Sequence, residues 1–411
     1  VIKLKIIRVE KRRAFGRLIS LIKESSDRVT PKCTIADTCG GCHIQHQAMT
    51  AQHIFKNKLI MSRLSRFITV NSSMYLPMIP SKSDYHFRNK LQVAFAIKDG
   101  DLELGLYASR SHRVINMNEC AIISQSMNAI LKKIRDWHKK SALSIFDETT
   151  GEGILRFLTI RHAVKTQQLM VVLTGARKLP NKELLIECLT SHDEVKSIYY
   201  SIQPDKTKDN ILGESLLHLW GEKTIEDRVL NLACDVSPAS FMQGNALSVD
   251  MLYNTFMTCL NWDYRSPLVD LYCGTGLLTI AFANKAKNVA VIGVDNNKQA
   301  ILDAKSNAKK NNSQATFICE KAETYLNPKN IKQATVILDP PRQGIHSDVI
   351  TALCKAKPKK IGMLSCYVDT LGRDLKPLMA AGYIINCIQP VDMFSHTAHV
   401  EIIVILTLSS E

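Results

Sequence analysis

Two short runs near the carboxyl end hold residues fit for covalent chemistry. In K-I-G-M-L-S-C-Y-V-D-T-L, Cys366 follows an apolar, strand-like run. In D-M-F-S-H-T-A-H-V-E-I-I-V-I-L, Glu401 opens another. Side chains at strand ends can face one cleft. A thiolate is a strong nucleophile once its pKa is lowered locally, and a carboxylate can serve as a general base. Together they could attack an electron-poor carbon and later remove a proton. The bland alternatives are a buried core cysteine and a solvated strand end.

These runs need a scaffold, and residues 234–411 read as one. V-S-P-A-S-F-M-Q-G-N-A opens a predicted helix reaching about Leu260. P-L-V-D-L-Y-C-G-T-G-L-L-T-I-A-F-A gives a buried strand, a glycine turn and a helix. A second strand ends at Asp295, and a fourth ends in Asp339-Pro340-Pro341-Arg342. Apolar strands alternating with helices predict an α/β fold with a parallel, doubly wound sheet. Ligands of such sheets sit at the carboxyl ends of the strands. Asp270, Gly274, Gly276, Asp295 and Asp339 fall there. An acidic residue about 20 positions past the glycine turn suits ribose hydroxyls. A dinucleotide turn carries a third Gly or Ala beside its pyrophosphate; Thr279 stands in that place here. The turn therefore favours an adenosyl amino acid, S-adenosylmethionine, over a nicotinamide cofactor.

The charge lies at the other end of the chain. Net charge is +15, and residues 1–140 carry 25 Lys and Arg against 10 Asp and Glu, with 28 of each sign after them. An excess so placed points to a polyanion, most often nucleic acid; a merely soluble basic face is the alternative. Residues 1–24 read as two strands around K-R-R-A-F-G-R, the remnant of a small β-barrel. Then Cys33, Cys39 and Cys42 bracket Gly40-Gly41. Glycines let the backbone curl so that sulfurs converge, and converging thiolates ligate zinc or an iron–sulfur cluster. Cys120 is the best fourth ligand; structural zinc, with His43 or His46, is the rival. Residues 48–67 follow a helical pattern. Y-H-F-R-N-K-L-Q-V-A-F-A-I, K-D-G-D and L-E-L-G-L-Y then read as a hairpin. Arg88, Asn89, Lys90, Arg110 and Arg113 crowd around it among Tyr85, Phe87 and Tyr107, a mixture suited to phosphate contact and base stacking.

With 411 residues the chain has room for two or three domains. No apolar run approaches a membrane span, and no leader is recognisable, so a cytoplasmic protein is expected. Val1 in place of Met suggests that the natural amino end lies upstream. Twelve cysteines in so long a chain without an export signal do not make a disulfide framework.

The cysteine loop, S-F-M-Q, D-L-Y-C-G-T-G, D-P-P-R, S-C-x-x-x-T-L and H-V-E occur in that order. With them the chain resembles the RNA uracil-5 methyltransferases, above all the iron–sulfur-containing branch acting on 23S ribosomal RNA. The likeness runs from about Lys3 to Leu408. It implies a partial TRAM-like barrel over 1–26, an α+β central RNA-binding domain over 27–233, and a Rossmann-like class I methyltransferase domain over 234–411, acting as a monomer. It implies a four-iron, four-sulfur cluster on Cys33, Cys39, Cys42 and Cys120. Gln243, Tyr272, Gly274, Asp295 and Asp339 would line the S-adenosylmethionine pocket, with Cys366 as nucleophile and Glu401 as base. Three positions depart from the family pattern: Tyr367 after the nucleophile, Leu277 where some relatives carry a polar residue, and Ser395 for a usual proline. A transfer-RNA substrate, an inactive RNA-binding iron–sulfur protein and an amino-group methyltransferase are the other readings. Amino-group enzymes carry an aromatic residue after the two prolines, where this chain has Arg342.

Overall fold

The computed structural model describes residues 1–11, 13–109, 111–204, 211–326, 331 and 333–409. Arg12 of the first basic connection and Arg110 of the hairpin group lie outside them. Strands β1 (Ile2–Glu10) and β2 (Arg13–Leu21) pair antiparallel into a largely exposed ribbon. A seven-stranded sheet follows. Its members are β3 (Lys90–Lys98), β4 (Asp101–Tyr107), β5 (Val114–Asn116), β6 (Leu155–Ala163), β7 (Gln168–Gly175), β8 (Val195–Ile202) and β9 (Ser215–Gly221), in the order β5-β4-β3-β6-β7-β8-β9. Asp99 and Gly100 turn β3 into β4 with φ of 53° and 87°, the left-handed pair that a two-residue hairpin loop requires. Helices Gln125–Ser141 and Lys182–Thr190 pack Leu131, Ile134, Trp137, Leu185 and Leu189 against this sheet. Phe87, read above as a base-stacking candidate, is 1% exposed and belongs to the core.

A short hairpin, β10 (Ile225–Val229) with β11 (Leu232–Val236), leads to the second large sheet. That sheet contains β12 (Leu268–Leu271), β13 (Val291–Asp295), β14 (Thr316–Cys319), β15 (Thr335–Leu338), β16 (Lys360–Ser365), β17 (Tyr383–Val391) and β18 (Glu401–Leu408), in the order β14-β13-β12-β15-β16-β18-β17. The strands from β12 to β16 are mutually parallel. Their interiors are nearly continuous apolar runs because helices cover both faces. The direction of winding reverses between β12 and β15, which opens the ligand crevice there.

Two expectations are corrected. The sheet is not wholly parallel: β18 lies between β16 and β17 and runs against both. The link 392–400 holds no helix and is shorter than the dozen or more residues a parallel crossover needs. The helix expected to begin near residue 236 spans only Val249–Leu260. Before it, the Asn245 Oδ1 takes the N–H groups of Leu247 and Ser248 at 3.0 Å each, so the side chain competes with a helical ladder. The Arg161 guanidinium donates to the carbonyls of Ser237, Pro238 and Ser240 and holds that stretch extended.

Helix Met49–Leu64 joins the front of the chain to the second sheet, placing Ile60 and Leu64 in one core with Val269, Leu371 and Leu375. Within the contact is a wholly buried ion pair. Lys56 Nζ lies 2.7 Å from Asp392 Oδ1, both side chains having no exposed surface. The ammonium also donates to the Phe394 carbonyl at 3.1 Å, and His53 Nε2 stands 3.3 Å from the other carboxylate oxygen. No helix among the described residues is long and apolar enough to cross a membrane. Removing one partner of a buried pair leaves an uncompensated charge, at a cost of about 3–5 kcal/mol. Lys56→Met is therefore expected to lower the urea midpoint by that much stability, and Lys56→Met with Asp392→Asn to recover a part. A single variant that unfolds at the native midpoint would contradict this.

Candidate active site

Cys366 is the residue after β16, and Glu401 is the first of β18. The antiparallel register pairs Leu364 with Ile403 and Ser365 with Ile402. The next step of that ladder sets Cys366 opposite Glu401, at the sheet edge where the parallel strands end. The thiol is half-buried, leaving room to approach it. Glu401 is 4% exposed. Burial pushes its pKa up to about 8; the Asp339 charge adds to this and Arg342 opposes it. Burial likewise lifts Cys366 to about 11, with Glu401 and Asp339 raising it further and Arg342 lowering it. Asp339, only half-buried by surface, is still moved to about 7 by desolvation, against a hydrogen bond from Gln243 Nε2 at 3.3 Å. The thiol faces a carboxyl raised to about 8, within reach of a general base's working range; the local lowering of the thiol expected from sequence is not found, because burial and the neighbouring carboxylates raise Cys366 instead.

The crevice beside them is built on the turn after β12. Tyr272 and Gly274 take left-handed φ of 63° and 53°. A Cβ at Gly274 would meet nothing within 4 Å, so the turn presents bare backbone to open space. A Cβ at Gly276 would instead stand 2.6 Å from the Phe317 ring, so that glycine serves helix packing. The Gly274 N–H donates to Asp295 Oδ2 at 3.0 Å, tying the β12 turn to the end of β13. Across the switch point stand Gln243 and Asp339. Asp270 turns away from the crevice: its Oδ2 accepts the Thr279 hydroxyl at 2.6 Å and braces the following helix. Leu277 packs into the core. Bare backbone, a carboxylate at the ribose distance along the chain and a buried amide suit an adenosyl ligand.

The cysteine loop lies next to this cleft. Cys33, Cys39, Cys42 and Cys120 line one small pocket, walled by Ile35, Leu106 and Met117. Burial, then the charges of Cys120, Cys39 and Cys33, push the Cys42 thiol up to about 12. Asn128 clamps Cys120 by accepting its N–H at 2.9 Å and donating to its carbonyl at 3.1 Å. Gly40 and Gly41 do not use positive φ. Gly40 is needed because the loop crosses the edge of β4, where a Cβ would sit 2.6 Å from the Tyr107 carbonyl. Among the described residues no group of three or more His, Cys, Asp and Glu is drawn together tightly enough to hold a single metal ion. The N–H groups of His43 and Ile44 donate to the His396 carbonyl at 2.9 and 3.0 Å.

Several residues that shape the site carry no motif signal. Asn89 donates from Nδ2 to the Gln243 carbonyl at 2.9 Å, and its own N–H meets the Gly244 carbonyl. Arg161 holds the preceding loop. Arg342, seen in sequence only as the end of D-P-P-R, is the cation acting on both Cys366 and Glu401. Spacing along the chain does not announce such long-range contacts; only the clustered R-N-K hinted at them.

Residues 245–359 match the family described as Methyltransferase small domain. A protein of Clostridium tetani named as an uncharacterized RNA methyltransferase is 37% identical, across 99% of this chain and 89% of its own length. One of the same description from Halalkalibacterium halodurans is 33% identical, across 100% of this chain and 90% of its own. Among solved structures, the Pyrococcus abyssi tRNA (uracil-54, C5)-methyltransferase, in complex with S-adenosyl-L-homocysteine, superposes with a TM-score of 0.79 at 25% identity, covering 99% of this chain and 92% of that one. With full-length relatives at this level of identity and a cleft pairing a thiol with a near-neutral carboxyl, the chain belongs to the family of RNA methyltransferases.

Proposed function

We propose that the protein transfers a methyl group from S-adenosylmethionine to carbon 5 of a uridine in 23S ribosomal RNA. The observation that carries this is the pairing of Cys366 with Glu401 across the β16–β18 ladder, beside the adenosyl crevice. In this reading residues 1–26 and 27–233 bind RNA and 234–411 perform the transfer. Carbon 5 of uracil is a poor nucleophile. The Cys366 thiolate adds to carbon 6, and the ring becomes an enolate whose carbon 5 is reactive. Tyr272, Gly274, Asp295, Gln243 and Asp339 would hold S-adenosylmethionine, whose sulfonium would give its methyl group to carbon 5 and leave as S-adenosylhomocysteine. Glu401 then takes the proton from carbon 5, the carbon 6–sulfur bond breaks, and Cys366 is released as the thiolate. A stacked uracil could not reach this cleft, so the base is flipped out. The likeness to the Pyrococcus abyssi enzyme favours a second reading, a uridine of transfer RNA. Methyl transfer to each RNA in turn, followed by mapping of 5-methyluridine, separates the two.

Cys33, Cys39, Cys42 and Cys120 would hold the four-iron, four-sulfur cluster. The support for this reading is the donor set, four thiols lining one pocket.

Cys366→Ala is expected to cut methyl transfer by more than about a thousandfold while binding of S-adenosylhomocysteine, measured by calorimetry, persists; retained turnover removes Cys366 from the mechanism. Glu401→Gln should accumulate a covalent RNA–protein adduct, visible as a shifted band on a denaturing gel, because elimination stalls. Because both the thiol and the carboxyl must be ionised, the wild-type kcat/KM should rise steeply with pH below about 8 and less steeply between about 8 and 11. A profile flat across that range counts against Glu401 as base. Protein purified without oxygen should be brown and carry iron and acid-labile sulfide; stoichiometric zinc without iron overturns the cluster.

A further inference from the structure

The exposed ribbon β1–β2 has two chemically different faces. Directly opposed residues of an antiparallel pair share a face, and successive residues alternate. Lys3 stands opposite Ser20, Lys5 opposite Arg17, Arg8 opposite Phe15 and Glu10 opposite Arg13. Between these rungs come Ile2 with Leu21, Leu4 with Leu18, Ile6 with Gly16 and Val9 with Ala14. Two bulges keep the sets apart: Ile7 is unpaired between Ile6 and Arg8, and Ile19 between Leu18 and Ser20. Without Ile7, strict alternation would carry Arg8 across to the apolar side. Neighbouring contacts agree with this register. A Cβ at Gly16 would meet Leu4 Cδ1 at 2.8 Å, on the apolar face. The Arg13 guanidinium lies 5.2 Å from the Phe15 ring centre, on the basic one.

The basic face is short of carboxylates. Glu10 takes both Arg8, at 2.9 Å, and Arg13, at 2.6 Å. Among the described residues Lys3, Lys5 and Arg17 have no ion pair, and these three with Arg8 and Arg13 are exposed. Lys5 and Arg17 are directly opposed, and like charges so placed repel. A polyanion laid along the face would remove that repulsion and release its own counterions. Phe15 adds a ring among the cations, on which a base can stack. Lys and Arg that track a backbone, with an aromatic ring between them, are how proteins hold a single strand of nucleic acid. We propose that Lys3, Lys5, Arg8, Arg13 and Arg17, with Phe15 among them, dock the sugar–phosphate backbone of the RNA substrate on a segment other than the uridine that enters the cleft. This rests on the RNA substrate of the reading above and adds which face of residues 1–26 meets it.

The test uses the full chain and a single-stranded RNA of mixed sequence containing uridine. Binding is titrated between about 50 and 200 mM salt, the range over which phosphate contacts weaken measurably. Lys5→Gln with Arg17→Gln should weaken binding at least about tenfold and reduce the salt slope by about 1.4, two single-strand phosphate contacts. Lys5→Arg with Arg17→Lys should retain both, and S-adenosylhomocysteine affinity should not change in either variant. Lys132→Gln with Lys139→Gln removes the same charge from the exposed side of helix Gln125–Ser141. An equal loss there, or an unchanged slope in the ribbon variant, overturns the proposal. A wild-type measurement covers a variant that fails to fold: acetylation by a water-soluble succinimidyl ester, followed by mass spectrometry. Bound RNA should slow modification of Lys3 and Lys5 but not of Lys132; equal slowing at all three, or none, overturns the proposal. RNA protection of Lys3 and Lys5 without any Cys366 adduct would sink the uridine chemistry and leave the ribbon standing.

Discussion

The antiparallel pairing of β16 with β18 is the constraint that makes a site of two distant residues. Were β18 parallel like its neighbours, Glu401 would begin at the opposite edge of the sheet, roughly 20 Å away at about 3.3 Å per residue. The short link 392–400 forbids that course and turns the strand back. The link is itself tied down on several sides. Lys56 holds Asp392 and the Phe394 carbonyl, and Asn245 donates to the Met393 carbonyl at 2.9 Å. These bonds come from residues 336 and 148 positions earlier in the chain. The catalytic geometry is therefore a property of the whole fold.

Charge divides the neighbourhood of the 237–243 loop into two regions of opposite sign. On the cleft side, Asp339 and Glu401 rise to about 7 and 8, with Asp270 near 8 behind them. Burial disfavours the ionised carboxylate, and Arg342 only partly offsets it. Such a cleft is better suited to a cationic ligand than to an empty, ionised state. On the other side, Lys90, Arg88 and Arg161 repel one another without a free carboxylate between them. A cationic ligand in the cleft would relieve the first of these. The loop between them carries Gln243, whose amide meets Asp339 on one side and whose carbonyl meets Asn89 on the other.

Most of the second sheet was legible in the sequence because each parallel strand is a short apolar run ending in a chemically distinctive residue. Asp270, Asp295, Asp339 and Cys366 mark four strand ends, and their order alone suggested the crevice. The direction of β18 was not legible, since an apolar run reports burial and not the sense of pairing. The start of the helix at Val249 was hidden for another reason: Arg161, on a different sheet, holds the stretch that local pattern assigned to helix. Phe87 looked like a stacking residue among cations, but its ring is core. Gly40 was rightly singled out for the wrong reason, because close approach to the Tyr107 carbonyl, not left-handed backbone, excludes a side chain there.

The cysteine loop bears on catalysis through geometry. Directly after Cys42, the His43 and Ile44 N–H groups bond the His396 carbonyl. His396 in turn receives Gln52: its N–H donates to Oε1 at 2.8 Å and its Nδ1 meets Nε2 at 3.1 Å. Its φ is 68°, left-handed for a residue with a side chain. Such a conformation costs of order 1 kcal/mol and persists only where the surroundings over-determine it. Here they do, through Gln52, the Tyr85 ring and the two N–H groups of the cysteine loop. Five residues further on stands Glu401, 4% exposed. The cysteine loop is thus bonded to the same 392–400 link that leads into Glu401, although none of the four thiols lies in the cleft.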